Sequence, residues 1–328
     1  MRYRHVLAAA LALAALIALP GNCHAQSSPQ NFTFGMMGDL GYVPAREPMF
    51  ENVLAEMNAA PLAFAVHVGD LSSPRFGCDS QFRARRLAQF QAFAHPLIYT
   101  PGDNEWTDCT DPLERLADLR TLYFNGNTTF GQRTFPLARQ SDSGSPAFGK
   151  YRENARWEFG GITFFTLHAV GSNNGVGRNA AGDAEAAERT LADVAWMAQG
   201  FAQAKASNSR AIMIMQQANM FPDILPFTGD PAAKVDGFAD LRVALVKELQ
   251  AYDKPVVLVN GDSHYFRVEK PFMRRVGGEP GNPLIENFTR VESFGDPFNH
   301  WVQVVVDVTD PNVFAFRPRM VQANLFKK

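Results

Sequence analysis

The chain has 328 residues, 46% of them hydrophobic and 20% charged, with a formal net charge of −2. That length can bury one large core. The near-neutral balance, with no basic stripe or run of like charge, argues against a nucleic-acid partner.

The first predicted element stands apart from the fold. Residues 1–5 carry two arginines, residues 6–19 are apolar but too short to span a bilayer, and residues 20–25 end on Ala25 before Gln26. This is the layout of a secretory signal peptide. Residues 1–25 are expected to be cleaved, leaving residues 26–328 as a single domain with no stable membrane span, exported to the periplasm or beyond. Cys23 would fit a lipid anchor, but Pro20-Gly21-Asn22 is a poor run-up for one. Export makes Cys78 and Cys109 a candidate disulfide, and an oxidising compartment disfavours the alternative of two free thiols.

From residue 32 onward, short apolar runs alternate with amphipathic segments, which predicts α/β organisation. The expected strands are residues 32–37, 63–68, 96–100, 162–167, 211–215 and 256–259. The expected helices are residues 47–59, 80–94, 112–124, 184–204 and 240–252. Residues 125–157 and 171–182 are rich in Gly, Asn and Ser and read as long surface loops. Beyond Tyr265 the runs 267–276, 286–293 and 301–308 read as antiparallel strands, with turns at Gly277-Gly278 and Asp310-Pro311. No internal repeat or interdomain linker is evident.

Gly-Asp occurs seven times in the chain, and four of its aspartates, Asp39, Asp70, Asp103 and Asp262, directly follow an apolar strand-like run. Ligands of α/β sheets bind outside the carboxyl ends of strands, and glycine lets the chain turn sharply there. Gly-Asp is also a common turn dipeptide, which accounts for Asp183, Asp230 and Asp296. Four carboxylates gathered at one edge need a compensating cation or proton, so the pattern points to a metal site. Gly261-Asp262-Ser263 could instead open a serine esterase site. That block would then need a partner histidine at a suitable spacing, but only Asp296 and His300 follow it, and no Gly-x-Ser-x-Gly elbow occurs.

The ordered blocks Gly38-Asp39-Leu40-Gly41-Tyr42, Gly69-Asp70, Gly102-Asp103-Asn104-Glu105 and Gly261-Asp262-Ser263-His264 resemble the calcineurin-like metallophosphoesterases. They are most similar to the purple-acid-phosphatase-like branch, over residues 32 to 308. The resemblance implies a four-layer α/β/β/α sandwich and a metal-dependent hydrolysis of a phosphomonoester or phosphodiester. It implies two divalent metal ions, held by Asp39, Asp70 (bridging), Asp103, Asp262, His264 and Gln217 (or Gln216, the alignment being ambiguous). It also gives catalytic roles to Asn104, Asp70 and His264, with Asn104 donating a hydrogen bond to a phosphoryl oxygen. The departures are as telling. Ser73 stands where the branch carries a chromophoric tyrosine, Asn104 replaces a histidine, Asp262 replaces another, and Gln217 a third. So oxygen-rich a donor set favours Mn, Mg or Ca over Fe or Zn. The same losses leave open a degenerate protein that binds a ligand or partner without turnover. His168, at a strand end before a Gly/Asn-rich loop, is a further candidate for the pocket. His67, His95 and Trp301 are expected to be structural, and Glu105 and Trp106 to support the Asp103 turn. Nothing in the sequence sets an oligomeric state.

Overall fold

A computed structural model describes residues 30–221, 235–273 and 284–326. The proposed leader, Asp230, the Gly277-Gly278 turn and the end of the expected 267–276 strand lie outside the described residues.

The elements run in the order β1 (Phe32–Met37), α1 (Glu47–Ala59), β2 (Ala65–His67), α2 (Pro74–Gly77), α3 (Ser80–Ala92), β3 (Leu97–Tyr99) and α4 (Pro112–Tyr123). There follow β4 (Ala138–Arg139), β5 (Ala155–Phe159), β6 (Ile162–Thr166), a single turn α5 (Gly171–Asn174), α6 (Ala180–Ala206), β7 (Ile212–Met215), α7 (Ala239–Gln250) and β8 (Val256–Asn260). The chain closes with β9 (Arg267–Glu269), β10 (Phe288–Glu292), β11 (Trp301–Val306) and β12 (Phe314–Arg319). The strands form two sheets, β12-β11-β1-β2-β3 and β4-β5-β6-β7-β8-β10-β9.

Side-chain alternation explains why the central strands read as unbroken apolar runs. Met213 and Met215 of β7 and Val257 and Val259 of β8 enter the core between the sheets, with Phe34, Phe64, Val66 and Val302. Their neighbours Ile212, Ile214, Val256 and Leu258 face the other way, onto Trp196, Phe201, Leu241 and Leu245 of α6 and α7. The outer face of the first sheet meets Phe50 and Met57 of α1, Phe90 of α3 and Leu119 of α4. A strand buried on both faces carries apolar residues at both parities. The result is the expected four-layer α/β/β/α sandwich.

Some expectations change. The run expected as antiparallel at 286–293 is β10, which pairs antiparallel with β9 but parallel with β8. The stretch expected as a loop at 125–157 contains β4 and the start of β5. Strand β12 follows the Asp310-Pro311 turn and pairs antiparallel with β11 as an edge. Its burial alternates only weakly because one face is solvated, which hides it in the sequence. Helix α6 begins at Ala180, with Asn179 accepting a capping hydrogen bond from the Gly182 amide.

Candidate metal centre

Asp39 follows β1, Asp70 follows β2, Asp103 lies in the loop after β3, and Asp262 and His264 follow β8. The strand ends therefore come from both sheets, not from one edge. The backbone is left-handed at Asp39 (φ 57°), Asp70 (φ 55°), Asp262 (φ 76°) and His264 (φ 61°). This conformation costs roughly 1 kcal/mol or more per non-glycine residue and persists where surrounding contacts hold it. Each turn aims a polar side chain into one cleft. The neighbouring glycines make room: a Cβ on Gly102 would sit 2.0 Å from Asp70 Oδ1, and one on Gly261 would sit 2.0 Å from Asp39 Oδ2.

Asp39, Asp70 and His264 bring ligand atoms within 4.8 Å of one another. His264 Nε2 lies 3.5 Å from Asp39 Oδ1, and its Nδ1 lies 2.6 Å from the Asp296 carbonyl. That carbonyl orients the ring as an acceptor for Nδ1–H, leaving Nε2 toward the acids. Asp39 and Asp70 are buried at 0% and 3% exposure, and Asp39 Oδ2 has no hydrogen-bond partner.

Tyr42 completes this half, although its residue type drew no role from the sequence. Its hydroxyl donates to Asp70 Oδ2 and lies 3.4 Å from Asp39 Oδ1 and 3.1 Å from His264 Nε2. The only hint was its place in the Gly-Asp-Leu-Gly-Tyr block. Asn104 stands on the other side of Asp70. Its Nδ2 donates to Asp70 Oδ2 at 2.8 Å and to the Ser72 carbonyl at 2.9 Å. Both amide protons are thereby committed, so Asn104 orients Asp70 in place of the expected phosphoryl contact.

The second half gathers Asp103, Asp262 and Gln217. Gln217 Nε2 donates to Asp103 Oδ1 at 3.0 Å and lies 3.5 Å from Asp262 Oδ1. Its Oε1, expected as a metal ligand, instead accepts from the Gly171 amide at 2.5 Å. Gln216, the alternative in the alignment, turns its Nε2 to the Ala218 carbonyl. Asp262 also accepts from the Asn219 amide at 3.0 Å, and its own amide donates to Asp39 Oδ1 at 3.0 Å.

The electrostatics call for positive charge. Burial, then the charge of Asp103, pushes both Asp70 and Asp262 well above the usual carboxylate range. Burial would lower His264, but the hydrogen bond and charge of Asp39 prevail and push it up to about 9. The Tyr42 phenol is held well above its ordinary value by burial and by Asp70 and Asp39, and so stays a donor. A buried carboxylate oxygen without a partner, two carboxylates and an imidazole within reach of a common point, and glycines cleared around them fit a cation at the Asp39–Asp70–His264 half.

Other expected residues fall elsewhere. His168 is fully buried and its Nδ1 pairs with Glu153 at 2.8 Å, so it is committed to a buried partner. His67 is packed among Phe50, Phe90 and Tyr99, His95 bonds the Met57 carbonyl, and Trp301 donates to Glu56. Glu105 accepts from the Leu71 amide and, at 3.0 Å, from the Gly102 amide. Asp296, set aside as a plain turn, supports the site: besides its bond to His264, its amide donates to the Asp39 carbonyl at 2.7 Å. Ser263 is exposed, and its Oγ accepts from Asn219 Nδ2 at 2.8 Å. No histidine partners that serine among the described residues, so a Ser-His nucleophile has no geometry here.

No protein-family model matches the sequence, and no curated protein matches it either. Among solved structures, the chain is similar to a dimetal phosphatase from Danio rerio at 11% identity and TM-score 0.53, over 88% of this chain and 96% of that one. The chain has the calcineurin-like metallophosphoesterase fold. It is also similar to a putative 5′-nucleotidase from Staphylococcus aureus, at 13% identity and TM-score 0.46 over 88% of this chain. A third similar structure is a purple acid phosphatase from yellow lupin (Lupinus luteus) seeds, at 12% identity and TM-score 0.48 over 92% of this chain. The metallophosphoesterase-fold chain spans 53% of the length of each of these last two. In this fold the described cleft lies where the carboxyl ends of β1, β2, β3 and β8 converge. The disulfide joining Cys78 and Cys109 ties the loop after Asp70 to the loop after Asp103.

Proposed function

We propose that the protein is an exported, metal-dependent phosphoesterase. The observation that carries the reading is the convergence of Asp39, Asp70 and His264, with their ligand atoms within 4.8 Å, at the strand ends of a metallophosphoesterase fold. Export is supported by the basic and apolar leader pattern of residues 1–25 and is consistent with the Cys78–Cys109 disulfide.

Asp39, Asp70 and His264 would hold the metal, and a hard divalent ion such as Mn, Mg or Ca suits two carboxylates and one imidazole. Once bound, the ion supplies positive charge against the charge that develops on the transferring phosphoryl group. The chain's own residues set the stage. Tyr42 and Asn104 fix Asp70 from two sides, and the Asp296 carbonyl fixes the His264 ring. Ser263 and Tyr265, on either side of His264, are exposed, so the site lies close to the surface. Because both Asn104 amide protons are committed, and an amide is no general acid, the leaving group departs without a proton from this residue. Aryl phosphoesters, with their acidic leaving groups, are accordingly the expected better substrates.

Purified protein reconstituted with Mn, Mg, Ca or Zn is expected to hydrolyse p-nitrophenyl phosphate or bis-p-nitrophenyl phosphate. Asp70→Ala is expected to lower the rate by about a thousandfold. No hydrolysis with any of the four metals, or an Asp70→Ala variant as active as the parent, sinks the reading.

A further inference from the structure

The two halves of the acidic cleft are built differently. At the Asp39 half, a buried carboxylate oxygen has no protein donor. At the Asp103–Asp262 half, protein donors already answer the acids. Gln217 Nε2 lies 3.0 Å from Asp103 Oδ1 and 3.5 Å from Asp262 Oδ1. The Asn219 amide takes Asp262 Oδ2 at 3.0 Å.

The orientation of the Gln217 amide follows from its other end. Only its oxygen can accept from the Gly171 N–H, at 2.5 Å, so its NH₂ group must face the two carboxylates. An amide NH₂ donates hydrogen bonds but offers a cation no lone pair. Gly171 also walls this side: a Cβ there would lie 2.6 Å from Asp262 Oδ1 and 2.7 Å from Asp103 Oδ2. The turn that presents Gly171 is itself anchored. Its residues Ser172, Asn173 and Asn174 are left-handed, with φ of 51°, 56° and 58°. The buried Arg189 guanidinium grips the Asn174 side chain at 2.6 Å, the Asn174 carbonyl at 2.9 Å and the His168 carbonyl at 2.7 Å.

We propose that this chain holds a single tightly bound cation, at Asp39, Asp70 and His264, and that the Gln217 side-chain amide stands in for a second between Asp103 and Asp262. The proposal rests on the metal-centre reading above and deepens it. Two acids facing each other are costly without compensation, and the two N–H donors of one amide provide it without a metal. Asp103 and Asp262 then act as a rigid acidic wall rather than as ligands.

The test is a count. Full-length protein stripped with chelator is titrated with Mn²⁺ by calorimetry, and bound metal is measured per chain after dialysis. One equivalent is expected to bind tightly, with any second weaker by at least about a hundredfold. Gln217→His, which replaces the amide by an imidazole donor, is expected to gain a second equivalent. Two equivalents of similar affinity in the parent overturn this inference but leave the metal centre standing. Zero equivalents overturn both. A folded Gln217→His protein that still binds one equivalent overturns the role given to Gln217. If that variant does not fold, the count on the parent decides alone.

Discussion

Asp70 is the most heavily supported carboxylate in the cleft. It accepts from the Tyr42 hydroxyl and the Asn104 side chain, and the Asn104 amide lies 3.3 Å from its other oxygen. Groups that orient a ligand are worth about 10- to 100-fold in metal affinity. Tyr42→Phe keeps the ring, which meets His264 edge-on at 4.9 Å between centroids, and removes only the hydroxyl. This variant is expected to bind Mn²⁺ about tenfold or more weakly, with little change in thermal unfolding, as calorimetry and circular dichroism would read together. An unchanged affinity would show that the phenol does not orient Asp70. Tyr42 ends the Gly38-Asp39-Leu40-Gly41-Tyr42 block. No rule of spacing said that its hydroxyl would meet an aspartate 28 residues away in sequence.

At the scale of elements, the site is made by strand ends and the glycines that let them approach. Gly261 is the sharpest case, since any Cβ there meets Asp39 Oδ2 at 2.0 Å. Its backbone is otherwise ordinary, so Gly261→Ala tests the approach and not the turn. The variant is expected to retain its secondary structure and to lose Mn²⁺ binding by about a hundredfold, because Asp39 must move out of line. Far-ultraviolet circular dichroism beside a metal titration would separate the two effects. The helix pattern was largely legible: α1 falls on the expected 47–59 and α4 within one residue of 112–124. Their 3.6-residue apolar spacing survives as a buried face. The turn α5 was not legible. Three consecutive left-handed residues depend on Arg189, which approaches from a helix about fifteen residues later, a contact local propensity does not encode.

At the scale of the molecule, a second buried polar cluster joins residues flanking β5 and β6 to α6. Glu153 pairs with His168 and Arg120, while Asp193 accepts from Asn154 Nδ2 at 2.7 Å and leaves Oδ2 without a partner. Burial, partly offset by Arg189, raises Asp193 from 3.8 to about 7. A carboxyl raised in the folded state binds its proton more tightly there than in the unfolded chain. Its contribution to stability is therefore full below about pH 4 and is lost as pH rises to about 7. Asp193→Asn keeps the acceptor oxygen and supplies a neutral amide in place of the charge. It is expected to raise stability above pH 7 by on the order of 1 kcal/mol and to flatten the slope between pH 4 and 7. Urea unfolding of both proteins across that range would show the change. A slope identical in the two proteins would assign the titration to another group.

Sequence by itself determined the alternation of strands and helices, the Gly-Asp strand ends and the set of acids that lie in the cleft. These are local facts, carried by periodicity and by the need for a tight turn after a strand. Tertiary structure alone decided that the acids come from two facing sheets, because pairing partners far apart in the chain set sheet membership. It also decided which way the Gln217 amide points, since that orientation depends on a backbone N–H 46 residues away. The difference between a ligand oxygen and a hydrogen-bond donor at that position is one side-chain rotation, and only the packed neighbours choose between them.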